Sequence, residues 1–208
     1  MKTPNNPPII IIGNGGHARV VTDCLLLNNK KILGFTAPKK EENRFGLPYL
    51  GEDMIIEGYS KEDVLLVNGV GKLKDRTKIY NYFTEIGYRF ASVIHPNSII
   101  SPYANIGEGS QIMAGSVIQA FAKISDNTII NTSCSIDHDC SVGIHSHISP
   151  GTSLAGGVTI GEVTHVGAKT VVIENIKVGS YVIVGAGSLI LKDVCDNSKV
   201  YGVPAKEV

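Results

Sequence analysis

The stretch Ser135-Ile136-Asp137-His138-Asp139-Cys140-Ser141-Val142-Gly143-Ile144-His145-Ser146-His147-Ile148 carries a spacing that decides the fold. Ile136, Val142 and Ile148 stand six residues apart. The spacing extends in both directions, from Ile94 to Ile190, through seventeen apolar positions without a break. Two residues ahead of each, from Ser98 to Ser188, the chain places Ser, Ala, Thr or Cys at all but Val158, Ile176 and Val182. A helix repeats at 3.6 residues and a half-buried strand at 2, so neither produces this pattern. A six-residue repeat specifies a parallel β-helix, each unit forming one side of a coil.

Three units of six close a triangular coil, so the series spans about five coils, stacked at roughly the 4.8 Å strand spacing. The large aliphatics then point inward in ladders, and the small register fills a second inward slot near each corner. Gly107, Gly143, Gly161, Gly167, Gly179 and Gly185 directly follow ladder residues, where a tight bend or positive φ favours glycine. The register never slips, so no loop interrupts a coil. The ends of such a solenoid need caps, and Tyr88–Ser92 and the tail from Asp193 are expected to supply them.

Residues 8–90 follow a different grammar. Pro8–Ile12 reads as a buried strand, Gly13-Asn14-Gly15-Gly16-His17-Ala18 as a glycine-rich turn, and His17–Asn29 as a helix with Val20, Val21, Cys24, Leu25 and Leu27 on its apolar face. Ile32–Phe35 and Asp63–Val67 read as further strands and Lys74–Ile86 as a second helix, while residues 36–60 are loop-rich. Alternating strands and helices indicate a small parallel α/β domain. The chain thus divides into an α/β domain over residues 1–90 and an all-β solenoid over residues 91–208.

With 19 basic and 19 acidic residues and no long charge run, the sequence gives no sign of a nucleic-acid partner. No stretch approaches the roughly 18 apolar residues of a membrane span, and no secretory leader pattern opens the chain. A soluble cytoplasmic protein without membrane insertion is the expectation. Cys134 and Cys140 fall in the small inward register and Cys24 in a helix, which argues against a disulfide framework.

Gly13-x-Gly15-x-x-Ala18 fits a dinucleotide fingerprint with Ala in its third position. Its physical content is a close backbone approach to phosphate at a helix N-terminus. NAD is disfavoured, because the second strand runs into Thr36-Ala37-Pro38-Lys39 with no carboxylate for the ribose hydroxyls. Gly15, Gly16 and His17 remain either a phosphate or nucleotide site or a purely structural turn.

Four of the six histidines lie between 138 and 165. His138 sits two residues past a ladder position between Asp137 and Asp139. His147 and His165 each precede a ladder residue and stand 18 apart, so they should stack one coil above the other. An imidazole with a neighbouring carboxylate suits proton abstraction near neutral pH. A zinc set drawn from His138, Cys140, His145 and His147 is the competing reading, but Cys140 should point into the core.

Taken together, these residues resemble the bacterial sugar acetyltransferases that join a small α/β nucleotide-binding domain to a left-handed β-helix. They include nucleotide-aminosugar N-acetyltransferases and sialic acid O-acetyltransferases. The resemblance rests on the Gly15-Gly16-His17 turn, Gly46-Leu47-Pro48-Tyr49-Leu50-Gly51, His95-Pro96, His138-Asp139, His147 and Tyr201-Gly202-Val203-Pro204-Ala205-Lys206. It implies the left hand of the coil, a homotrimer, and acetyl-CoA as co-substrate without a metal. It further implies that His138 is a general base supported by Asp139, and that His147, Ala168 and Ala186 line an acetyl-CoA groove. Gly15, Gly16 and His17 would hold the nucleotide-linked amino sugar, and Asn131 would be a polar active-site residue. The implied reaction is N-acetylation of a 4-amino-4,6-dideoxyhexose for surface glycans, with sugar O-acetylation as the alternative. One departure stands out: Thr36 and Ala37 occupy positions where many members carry acids.

Overall fold

The computed structural model describes residues 7–208, which divide into two compact units between Val93 and Ile94. The first unit builds a parallel sheet from β1 (Ile9–Ile12), β2 (Ile32–Thr36), β3 (Tyr49–Gly51) and β4 (Leu65–Asn68), in the order β3-β2-β1-β4. All four isoleucines of β1 are buried, as befits a central strand covered on both faces. Two helices accompany the sheet, α1 (Gly16–Leu27) and α2 (Leu73–Glu85). On α1 the buried apolar stripe is Val21, Cys24 and Leu25, at the i, i+3, i+4 spacing of one helix face. Val20 and Leu27, expected on that face, lie one stripe over and are exposed.

Strand β3 was not expected in the loop-rich region. It is three residues long, and a 3₁₀ turn at Asp53–Gly58 follows it. The aromatic residues of Tyr88–Ser92 lie in the first unit, within the α/β domain expected over residues 1–90. Tyr88 and Phe90 pack with Ile10, Ile12, Leu66 and Phe83 in the core of the α/β unit, and Phe90 bridges to Leu66, so this stretch completes the first unit. Aromatic side chains find a larger buried surface there than an aliphatic solenoid offers.

The second unit is a left-handed, three-sided parallel β-helix. Two-residue strands pair at offsets of eighteen, for example Ser141↔Thr159, His147↔His165 and Ser153↔Val171. Three faces result, named here for their outward residues. The histidine face contains Ile129–Ile130, His147–Ile148 and His165–Val166, and the serine face Val117–Ile118, Ser135–Ile136 and Ser153–Leu154. The lysine face contains Lys123–Ile124, Ser141–Val142 and Lys177–Val178. Ladder residues from Ile112 to Ile190 are buried, whereas Ile94 is exposed and Ile100 and Ile106 half-buried. Within the helix the first coil has a neighbour on one side only. At the far end Lys199–Gly202 and Ala205–Glu207 form an antiparallel hairpin over the last coils, as expected of a cap.

The small register does more than save space. Ser116, Ser146, Thr152 and Thr164 donate their hydroxyls to the carbonyls of Asn131, Gly161, Gly167 and Gly179, one corner of the next coil each time. These bonds satisfy carbonyls that point inward at the corners, where the strand ladder does not reach.

Left-handed φ falls at a different place from the glycines singled out above. Every sixth residue from Gly109 to Gly187 has φ between 49° and 70°, and nine of the fourteen are not glycine. The glycines after ladder residues lie outside that set. A Cβ on Gly143 would stand 2.6 Å from Glu162 N, and one on Gly167 2.5 Å from Ala186 N. Close approach of the next coil, not positive φ, excludes a side chain there.

Candidate active site

His138 occupies the corner between the serine and lysine faces. Its backbone is fixed from both sides of the corner: Asp137 N–H donates to Leu154 O, and Gly157 N–H donates to His138 O. Asp139, next along, takes the left-handed conformation at φ 59°, which Asp tolerates better than most residues. That turn swings its carboxylate back, and Oδ2 lies 2.8 Å from His138 Nδ1. Asp137 accepts the His138 backbone N–H at 2.7 Å, so a second carboxylate stays close. The hydrogen bond to Asp139, followed by the charge of Asp137, raises the imidazole pKa above its usual 6.5. With Nδ1–H committed to Asp139, the neutral ring keeps Nε2 as its acceptor.

The ring lies against Gly156, eighteen residues on and one coil above. A Cβ on Gly156 would stand 2.7 Å from both Cε1 and Nε2 of His138. The missing side chain is therefore the bed on which the imidazole rests.

Asn131, His147, Ala168 and Ala186 gather elsewhere, on the histidine face and the corner joining it to the serine face. Asn131 Nδ2 lies 3.1 Å from His147 Nε2, and Asn131 Oδ1 accepts from Thr132 N–H. His147 and His165 stack in adjacent coils as their spacing requires, edge to face at 5.1 Å and 89°. Ala168 and Ala186 stand eighteen apart in one corner column, linked through Gly187 N–H to Ala168 O at 2.7 Å. Their methyl groups leave that column shallow.

These two groups do not meet within one chain. The His138 corner joins the serine and lysine faces, and the histidine face forms the opposite side of the triangle. Cys140 and His145 complete the zinc set considered above, yet the four residues point to different places. Cys140 is buried with its thiol on Ala155 O, and His145 occupies the corner between the lysine and histidine faces. Among the described residues no group of three or more His, Cys, Asp or Glu side chains is arranged to hold a metal ion.

In the first unit, Gly15 precedes α1 and no side-chain cap bond is made at that N-cap, where first-turn N–H groups have no acceptor within the helix. A Cβ on Gly15 or Gly16 would meet nothing within 4 Å, so the fold itself does not demand glycine at either. His17 follows on the first turn and packs its Cβ toward Gly71. The carboxylate missing after β2 in the sequence arrives from elsewhere, since Thr36 donates its hydroxyl to Asp53 Oδ1 at 2.6 Å. The glycine turn is also tied to the following loop, through Asn14 to Glu42 O and Asn43 to Asn14.

Gly156 and Asp53 were not singled out from sequence. Gly156 was reachable, because eighteen residues separate it from His138. Asp53 was not, because its approach depends on the 3₁₀ turn.

The PglD N-terminal domain family model matches residues 8–83. Among solved structures, the chain is similar to the acetyltransferase domain of PglB from Neisseria gonorrhoeae FA1090. Identity is 34%, the TM-score is 0.94, and the match covers 98% of this chain and 100% of that one. The same domain is known in complex with acetyl coenzyme A. PerB from Caulobacter crescentus, in complex with CoA and GDP-perosamine, shares 33% identity at a TM-score of 0.92, covering 98% of each chain. WeeI from Acinetobacter baumannii AYE shares the fold at 18% identity, a TM-score of 0.65, and coverage of 98% of this chain and all of that one. A search of curated proteins gives no match.

Proposed function

Since this chain belongs to the bacterial nucleotide-sugar N-acetyltransferases that join a PglD-type α/β domain to a left-handed β-helix, we propose that it moves the acetyl group of acetyl-CoA onto the amine of a nucleotide-linked 4-amino-4,6-dideoxyhexose. The observation that carries this reading is the His138–Asp139 pair at 2.8 Å, on a chain that aligns from end to end with the PglB domain and PerB. In the proposed reaction the amine nitrogen attacks the thioester carbonyl carbon directly. His138 Nε2 takes the proton that the amine must shed, the C–S bond breaks, and the departing thiolate leaves as CoA after protonation. Asp139 holds Nδ1–H, fixes the tautomer and stabilises the imidazolium as it forms. Asn131 and His147 lie beside the thioester, and the Ala168–Ala186 column leaves room for the pantetheine arm. Gly15, Gly16 and His17 receive the nucleotide phosphates at the start of α1. The product serves surface-glycan assembly, and the cytoplasm supplies both substrates.

The active unit in this reading is a homotrimer. The serine face turns outward Ile99, Ser135, Ser153 and Val171, all exposed, with half-buried Val117 and Leu189, and carries no charge, whereas the lysine face exposes Lys123 and Lys177. Three copies that turn their serine faces to a common axis bring the His138 corner of one against the Asn131 corner of the next, because those two corners flank that face. Such closure joins the two half-sites that one chain keeps apart.

Thiol release from acetyl-CoA with a panel of UDP-, dTDP- and GDP-linked amino sugars tests the assignment. Turnover of a nucleotide-linked amine is the expected result. Turnover of free sialic acid, with none of any nucleotide amino sugar, would replace N-acetylation by O-acetylation. Silence with every acceptor would overturn both.

A further inference from the structure

On the N-terminal side of His138 the same corner carries two exposed aromatic rings. Phe121 stands one coil below Asp139 in the left-handed column, and Tyr103 one coil below Phe121. Their ring centroids are 5.7 Å apart with planes tilted by 35°, and they are 58% and 66% exposed. Phe121 has φ 64°, a conformation uncommon for a bulky residue. Tyr181 shares that conformation, but its hydroxyl finds Glu162 at 3.0 Å. The Phe121 ring has no polar tip and spends its surface on solvent. The coil imposes this φ at every sixth residue, so what marks the pair is two adjacent rings left exposed at the corner that carries the base.

Placement supplies the ligand. Ala168 and Ala186 lie on the C-terminal side of the His138 level, and the acetyl-CoA groove proposed above runs along them. The acceptor must then approach Nε2 from the N-terminal side, past Ala120. The Asp139 backbone N–H donates to Ala120 O at 3.2 Å, so the aromatic pair and the base share one rigid frame. Neighbouring coils are about 4.8 Å apart, and two of them span roughly the width of a hexose ring.

We propose that Phe121 and Tyr103 form the wall that receives the apolar face and C6 methyl of the acceptor hexose, and that they select 6-deoxy over 6-hydroxy amino sugars. This rests on the N-acetyltransferase reading given above. An aromatic face suits C–H groups and a methyl, while a C6 hydroxyl there gives up water without a partner. Phe121→Asn keeps a residue at ease in the left-handed region, so the corner folds while the ring is lost. Tyr103→Ala removes the second ring.

The test compares wild type with Phe121→Asn, Tyr103→Ala and the double variant, using matched nucleotide amino sugars with CH3 or CH2OH at C5. Wild type should favour the 6-deoxy acceptor by about tenfold or more in kcat/KM, the range of small apolar differences. Each variant should raise the acceptor KM about tenfold, shrink that preference, and leave the KM for acetyl-CoA and the acid limb of the pH profile in place. An active wild type whose double variant keeps acceptor KM and 6-deoxy preference within twofold would overturn this inference alone. Dissociation of the variants into monomers would instead assign the rings to contact between copies, and would also overturn it. A wild type silent toward every nucleotide-linked amine would remove the function and the inference together.

Discussion

Gly156→Ala separates the fold from the chemistry at a single atom. The added Cβ would stand 2.7 Å from Cε1 and Nε2 of His138 and 3.4 Å from Nδ1. Carbon atoms prefer roughly 3.5–4.0 Å, so the ring must retreat by about 1 Å. What yields is decided by stiffness. Gly156 belongs to a regular coil, with Asn175 N–H bonded to its carbonyl, while the His138 side chain is 62% exposed and free to turn. The imidazole therefore moves and the backbone stays.

Two opposite effects follow. Gly156 has no positive φ, so Ala fits its backbone and gains about 0.4–1 kcal/mol by restricting the unfolded chain. The displaced base loses its line to the amine, and an error near 1 Å in a reacting group costs about 10²-fold in rate. Thermal unfolding should show a melting temperature equal to or above that of wild type. Thiol release at saturating substrates should show kcat lowered by about 10²-fold. NMR titration should show the His138 pKa falling back toward 6.5 as the ring leaves Asp139. A kcat within twofold of wild type would refute the placement of the base. A stability loss above about 2 kcal/mol would show that the frame, not the ring, takes the collision.

Ile118 and Ile136 pair in adjacent coils and are fully buried, so truncating either to Ala should cost roughly 2–5 kcal/mol in denaturant unfolding, and less than about 0.5 kcal/mol at both would refute the register. His138→Ala should lower kcat by about 10²–10⁴ with little change in acetyl-CoA affinity, whereas His147→Ala should weaken acetyl-CoA binding and keep more turnover. The base works as neutral imidazole, so the rate should fall as pH drops through a pKa above 6.5; Asp139→Asn removes the main cause of the upward shift and should move that limb to lower pH, and an unmoved limb would assign it to the substrate amine. Mixed trimers of His138→Ala with the Asn131→Ala, His147→Ala double variant should regain activity in about a quarter of their sites, and no recovery would place both half-sites on one chain.

The ladder was legible because each apolar residue repeats one geometric role, and seventeen repetitions leave a single period. Its glycines were legible in place but not in cause. Sequence shows that Gly143 follows Val142, yet only stacking shows Glu162 N where a Cβ would go. The left-handed corner positions were invisible because their residues share a conformation and not a type: Asn127, Asp139, Val163, Lys169 and Tyr181 all adopt it. Strand β3 escaped because three residues are too few for a pattern. The grouping of Asn131 with His147 was open to arithmetic, since a residue just after a ladder position and one just before the ladder position of the next coil lie side by side. That His138 stands on the far side of the triangle follows from the same arithmetic, once corners and faces are counted in order.

The corner itself explains why the catalytic pair sits where it does. Consecutive side chains along a strand point to opposite faces, so adjacent residues are poor partners there. At the corner of each coil, the left-handed residue reverses the chain and brings its side chain round beside its predecessor. Thirteen other corners make the same turn, but this one places His and Asp in the two slots, and Nδ1 meets Oδ2 at 2.8 Å. Because the turn is repeated by the fold, the pair needs no special loop and no backbone conformation absent from its neighbours. The site is distinguished by side chains alone: a carboxylate at 137, a bare Gly156 above, and two aromatic rings below. Substituting those neighbours should therefore alter proton transfer and acceptor choice while the ladder, and with it the fold, remains unchanged.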